Sequence, residues 1–229
     1  MKSVLLNKHS LEIAKLAPKE ESRYTLNALR VTEGETMVTN GHYLIRVENP
    51  KMKVENFPTV AGDVPAVEVS ELLIPTASAL EVLKGIPKKD AIPVLNHAKV
   101  GKGEDGMIRM VTTDMDVHRP NATRAITGQF PNVDAVMPRS QKFTIGVNAE
   151  YLSKLLAIAA TYNDRSHFVE LSFTDKPSAM RIDAHDEVTG QHFTAVLMLM
   201  RGEIEGKPFP PEVIVDPFAD VPEPEEVCA

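Results

Sequence analysis

Residues 71–87, ELLIPTASALEVLKGIP, change their periodicity halfway along. ELLI is a short apolar run of strand length. Pro75 suits a helix start, where its missing N–H leaves no hydrogen bond unmade. TASALEVLKG then places Leu80 and Leu83 on one stripe and stops at Gly85, a residue suited to helix ends. The stretch therefore reads as a strand running directly into one amphipathic helix. Beyond it, strands are expected around PVLNHAKV, GMIRMVTT and HRPNATRAIT, separated by polar and glycine turns.

The same order of signals occurs three times. Near the start, SVLL is a strand, Asn7 an N-cap, and the helix that follows ends before Pro18. TLNALRVTEGETMVTNGHYLIRVE then reads as three strands, with turns at Glu33-Gly34 and Asn40-Gly41. In the third occurrence KFTIGV leads to the cap Asn148 and the helix AEYLSKLLAIAATY, and HFVELSF, AMRIDAH and HFTAVLMLM complete the unit. Each helix has an apolar stripe, through Leu11, Ile13 and Leu16, then Leu80 and Leu83, then Leu152, Leu155 and Leu156, so each should lie on a sheet. The expected class is α+β, built from repeated β-α-β-β-β units with helices on one face of antiparallel sheets. Two units make a complete domain over 1–140, a third covers 141–201, and 202–229 form a tail.

That tail holds eight acids against the single base Lys207, and six of the 17 prolines. It accounts for the whole net charge of -7, so the remaining body is neutral and can carry a basic surface. A composition so rich in proline and charge is expected to be flexible, although VIV at 213–215, Phe209 and Phe218 give it apolar points of attachment. The only cysteine, Cys228, excludes an intrachain disulfide and a cysteine zinc site. The start of the chain lacks a signal-peptide core, and no apolar run reaches spanning length, so a soluble cytoplasmic protein is expected without a membrane partner.

Lys8, Lys15 and Lys19, then Lys84, Lys88 and Lys89, then Lys154 lie on or just beyond the expected wet faces of the three helices. Lysines populate any solvated helix face. Three such helices in line would also make a discontinuous basic strip able to follow phosphates without reading sequence. Glu12, Glu81 and Glu150 on the same helices oppose that second reading.

In order and spacing, five segments resemble the bacterial sliding clamps, the beta subunit of DNA polymerase III, within the DNA-clamp superfamily. They are VTNGHYLIRVE at 38–48, LLIPTASALEVLKGIP at 72–87, GQFPNVDAVMP at 128–138, IGVNAEYLSKLLAIA at 145–159 and AVLMLMR at 195–201. The resemblance spans 1–201 and implies a shortened clamp fold. It also implies a non-enzymatic, homo-oligomeric processivity factor of DNA replication, without a cofactor, that encircles or follows duplex DNA non-specifically. By the same resemblance the helix lysines face DNA. A hydrophobic pocket for short peptides of polymerase, clamp loader or repair proteins falls on Thr39, Gly41, His42, Tyr43, Leu44, Pro138, Val196, Met198, Leu199, Met200 and Arg201. Tyr43 stands where the family has arginine, and Leu199 where it has proline. Independently, Met198 and Met200 alternate with Leu197 and Leu199, which fits either an adaptable peptide surface or a strand buried on both faces. Three units leave the third without a mate, so its sheet is expected to be completed by a second molecule or by the tail.

Two other readings compete. A clamp-like peptide adaptor or decoy would share the fold without encircling DNA. A metal-dependent hydrolase would use Asp114, Asp116 and His118, expected to alternate along a strand, with Asp183, His185 and Asp186. No nucleophile signature accompanies these groups, and GKGED at 101–105 lacks the lysine-serine ending of a phosphate loop.

Overall fold

The computed structural model describes residues 1–18, 26–60, 67–87, 92–135, 137, 144–163, 165–173 and 179–200, together with the backbone of 202–204 and 207–209. The chain divides into two compact units, Met1–Met137 and Pro138–Ala229.

In the first unit, β1 (Ser3–Asn7) passes without a loop into helix α1 (Lys8–Glu12). Asn7 makes this junction: it ends the strand, and its side-chain oxygen accepts from the Ser10 N–H at 3.0 Å. A tighter 3₁₀ turn, Ile13–Leu16, continues the helix toward Pro18. The narrower 3₁₀ winding takes Leu16 off the expected apolar stripe and leaves it exposed, while Leu11, Ile13 and Ala14 stay buried. Three strands follow, β2 (Ala28–Val31), β3 (Glu35–Thr39) and β4 (Leu44–Glu48), and the order repeats in β5 (Leu72–Pro75), α2 (Thr76–Gly85), β6 (His97–Lys102), β7 (Met107–Thr113) and β8 (His118–Arg124). On α2 the fully buried positions are Ala79 and Val82, with Leu80 and Leu83 flanking them at the core edge. PVLN, expected within a strand, is a 3₁₀ turn at Pro93–Asn96, as befits a proline that cannot donate to a ladder.

The strands form two antiparallel sheets, in the orders β4-β3-β2-β5 and β1-β6-β7-β8. Each repeat thus sends its leading strand into the other repeat's sheet. Leu6 lies opposite Ala98, and Ile74 opposite Leu29. The helices come with their strands and pack against each other. One core results, containing Val4, Leu6, Leu11, Leu29, Val31, Val38, Ile74, Val82, Val100 and Met110 from both repeats.

A second apolar layer covers the opposite face of the β4-β3-β2-β5 sheet, where Phe130 and Val133 pack on Ala28, Met37 and Leu73. Arg30 sits 5.7 Å from the Phe130 ring centroid and is paired with Glu71 at 2.7 Å. The segment after β8 is therefore fastened to the sheet by one aromatic anchor.

In the second unit, Asn148 caps α3 (Ala149–Ala159) by accepting from the Tyr151 N–H at 3.0 Å. A 3₁₀ turn, Ala160–Tyr162, leads toward β9 (Glu170–Phe173), β10 (Ala179–His185) and β11 (His192–Met198), in the order β11-β10-β9. The leading strand expected in KFTIGV is not formed over its described residues 144–147; Gly146 accepts from the Met200 N–H, and Ile145 and Val147 pack on the core beneath α3. In the first unit a leading strand is a strand because another repeat's sheet receives it. Within 202–229, β12 (Gly202–Ile204) and β13 (Lys207–Phe209) pair antiparallel. Residues 210–229 lie outside the described residues.

Phe130→Ala should lower the unfolding free energy of the first unit by about 3–5 kcal/mol, and Phe130→Leu by clearly less, as read from denaturant midpoints. Equal, negligible effects would show that the anchor contributes no packing.

Candidate functional site

The turn between β3 and β4 is built by Thr39 and Asn40. The Asn40 side-chain oxygen accepts from the His42 and Tyr43 N–H groups at 2.9 and 3.0 Å. The Thr39 hydroxyl donates to the Tyr43 carbonyl at 2.6 Å and accepts from the Gly41 N–H at 3.2 Å. Gly41 has φ +90°, a conformation open to glycine at little cost. This geometry leaves His42 and Tyr43 exposed, and the Tyr43 hydroxyl donates to the Leu16 carbonyl. Thr39 is buried, and Leu44 leans into the Phe130 layer.

The turn between β7 and β8 repeats this device. The Met115 N–H donates to the Thr113 hydroxyl at 2.9 Å, the Val117 N–H to Asp114 at 2.7 Å, and Met115 takes φ +77° where the first turn has glycine. The Thr-Asn and Thr-Asp pairs, 39–40 and 113–114, were the signal in the sequence. Asp114, Asp116 and His118 consequently do not alternate along one strand: 114–117 are turn, and the strand begins at His118. The Val117 N–H, followed by Arg119, holds the Asp114 carboxyl below the usual range.

In the second unit Asp183 is lowered by Arg181 and Thr194, and Asp186 by the Thr189 hydroxyl and Val188 N–H. Each carboxylate already has structural partners. His185 faces His192 across the β10-β11 ladder, with ring centroids 4.3 Å apart. Among the described residues no three metal-capable side chains converge.

On β11 the side chains separate cleanly by face. Ala195, Leu197 and Leu199 turn toward α3 and the second unit's core, while Val196, Met198 and, just beyond the strand, Met200 are exposed. Met198 is 65% exposed, so burial on both faces is ruled out for this strand. Unbranched, polarisable methionines in such a row can repack around varied apolar anchors. A shallow hollow of about 260 Å³ beside the Arg30–Glu71 pair lies on none of the expected pocket residues.

The helix lysines are placed differently from a free basic strip. Lys15 pairs with Glu12 at 2.6 Å, Lys84 with Glu81 at 2.6 Å, and Lys154 with Glu150 at 2.7 Å, each within its own helical segment. Lys8 is exposed. Lys8, Lys15 and Lys84 belong to the first unit, and Lys154 to the second. Lys19, Lys88, Lys89, Pro138 and Arg201 lie outside the described residues.

Interlocked β-α-β-β-β repeats of this kind define the DNA-clamp fold. The solved DNA polymerase III subunit beta of Pseudomonas aeruginosa shares it at TM-score 0.63 and 17% identity, covering 87% of this chain and 51% of that one. The corresponding subunit of Borrelia burgdorferi matches at TM-score 0.63 and 17% identity, over 86% and 48% of the two chains. PCNA of Thermococcus kodakaraensis matches at TM-score 0.52 and 15% identity, over 86% and 72%. The chain therefore has a clamp fold and spans about half the length of the bacterial beta subunits it resembles. No family model and no curated protein matches the sequence. No described helix is long and apolar enough to cross a membrane.

If the two turns are equivalent, Gly41→Ala should destabilise the first unit and Met115→Gly should stabilise it, each by about 1 kcal/mol, through the cost of a left-handed backbone at a side-chain-bearing residue. Thermal melts of the two variants should move in opposite directions.

Proposed function

We propose that this chain is a clamp-like tether, a non-catalytic cytoplasmic protein of DNA replication or repair. It holds short peptide segments of a polymerase, clamp loader or repair protein close to duplex DNA, as a homo-oligomer that encircles or follows the duplex. The single observation that carries the reading is the exposed row of Val196 and Met198 on β11 and Met200 just beyond it, whose alternate residues turn to the core. The cost of displaying so much apolar area is understandable if a partner covers it. His42 and Tyr43, displayed by the turn after Thr39 and Gly41, are the other proposed peptide contacts, with Pro138 and Arg201, whereas Leu44 and Leu199 pack toward the cores of their own units.

The DNA component is assigned to Lys8, Lys15, Lys19, Lys84, Lys88, Lys89 and Lys154. One observation favours a second reading, in which the protein is a peptide adaptor that never surrounds DNA: the local pairing of Lys15, Lys84 and Lys154 cancels much of their attraction for phosphate.

Two measurements separate these readings. A fluorescent C-terminal peptide of a bacterial replicative polymerase should bind, and Met198→Asp should weaken it roughly tenfold or more because a carboxylate would enter an apolar contact. Unchanged affinity would remove the row from the site. Retention on nicked circular duplex, with or without a loader, and release after linearisation should follow for the encircling form. Peptide binding without such retention would leave the adaptor.

A further inference from the structure

His185 and His192 stand directly opposite each other at the turn end of the β10-β11 ladder. The next pair inward, Ala184 and Phe193, belongs to the core under α3. Strand alternation therefore puts both histidines on the other face of the sheet, where each is exposed. The Asp186 N–H donates to the Gln191 carbonyl at 2.9 Å, which makes 186 and 191 a hydrogen-bonded pair and leaves 185 and 192 a non-bonded one. Facing side chains come closest at non-bonded pairs. The two rings accordingly lie with centroids 4.3 Å apart and planes tilted by 30°.

His97, His118 and His167 each engage Nδ1, with the Pro93 carbonyl, the Thr113 hydroxyl and the Ala160 carbonyl. Among the described residues no group hydrogen-bonds a ring nitrogen of His185 or His192, so each neutral imidazole keeps a lone pair to offer. The nearby carboxylates are already held, Asp183 by Arg181 and Thr194, and Asp186 by Thr189 and the Val188 N–H. Asp186 and Glu187 still place negative charge beside the rings, which favours a cation over an anion.

We propose that His185 and His192 form a two-imidazole chelate for one divalent transition-metal ion of the nitrogen-preferring class, copper(II), nickel(II) or zinc(II). Imidazole suits these ions, whereas magnesium and calcium seek oxygen. Metal–nitrogen bonds of about 2.0–2.1 Å at a tetrahedral ion put two ligand nitrogens roughly 3.3 Å apart. Rings already this close reach that spacing by turning about the outer side-chain torsion, which is broad for histidine. Water fills the remaining positions, since among the described residues no third metal-capable side chain converges with the pair. Because the ligands come from both strands, bound metal ties β10 to β11 beside their turn.

The test uses the full chain carrying Cys228→Ser, which removes the one thiol that would also take these ions. Titration calorimetry should show one zinc(II) ion per chain, with copper(II) bound more tightly and magnesium not at all. His185→Asn and His192→Asn should each weaken zinc binding roughly tenfold or more, because one imidazole presents the other at high effective concentration. The double variant should lose little beyond either single one. Both histidines are exposed, so metal-free melts of these variants should match the parent. Zinc should slow hydrogen exchange at 183–186 and 191–194 and leave 97–102 in the first unit unchanged. His42→Asn, at an exposed histidine elsewhere, should bind zinc as the parent does. No zinc binding at millimolar concentration overturns the proposal. So does binding that survives both substitutions, or one ion shared by two chains. The readout involves neither peptide nor DNA, so its failure leaves the tether reading untouched.

Discussion

Leading strands exchanged between repeats are the constraint on which the first unit rests. Ser3–Asn7 pairs with His97–Lys102, nearly a hundred residues away, and Leu72–Pro75 returns to Ala28–Val31. Neither sheet is complete within one repeat. Because each leading strand runs straight into its helix at Asn7 or Pro75, exchanging strands also brings the helices together over a shared core. Burial of that apolar surface is the main driving force, and neither repeat can achieve it alone.

In the second unit the described core is built by one repeat. α3 is well capped, and Met180, Ile182, Ala184 and Leu197 are packed beneath it. Ile145 and Val147, just before the Asn148 cap, pack on the same core, while Tyr151 and Ile158 on the helix are exposed. Period-two alternation on β11 gives a different kind of exposure. Leu197 fixes the strand to α3, which necessarily turns Met198 outward.

Electrostatics temper the functional reading. A lysine three or four residues after a glutamate is within reach of it on a helix, and Lys15, Lys84 and Lys154 all take that partner. Similarly, Asp114 and Asp186, which resemble metal ligands in the sequence, are occupied by turn N–H groups and hydroxyls. Local hydrogen bonding competes for the side chains that could otherwise serve a ligand.

Much of the architecture was legible because it depends on neighbours in sequence. Asn7, Pro75 and Asn148 act within three residues of themselves, and apolar alternation marks β10 and β11 whatever lies on either side. The turn at Asn40-Gly41 was legible for the same reason. Its counterpart at 113–117 was hidden by Met115, which adopts the glycine-like conformation without the glycine, so the repeated Thr-Asp signal passed for a row of ligands. The withdrawal of Leu16 from its stripe, the failure of 144–147 to become a strand and the exposure of Met198 were not readable, since each depends on what another part of the chain places beside it. The sequence by itself determined the repeated strand-helix-strand order, the caps and the faces. Tertiary structure decided which sheet each leading strand joined, and so which of those faces were buried, because strand pairing is a contact between distant residues that no local periodicity specifies.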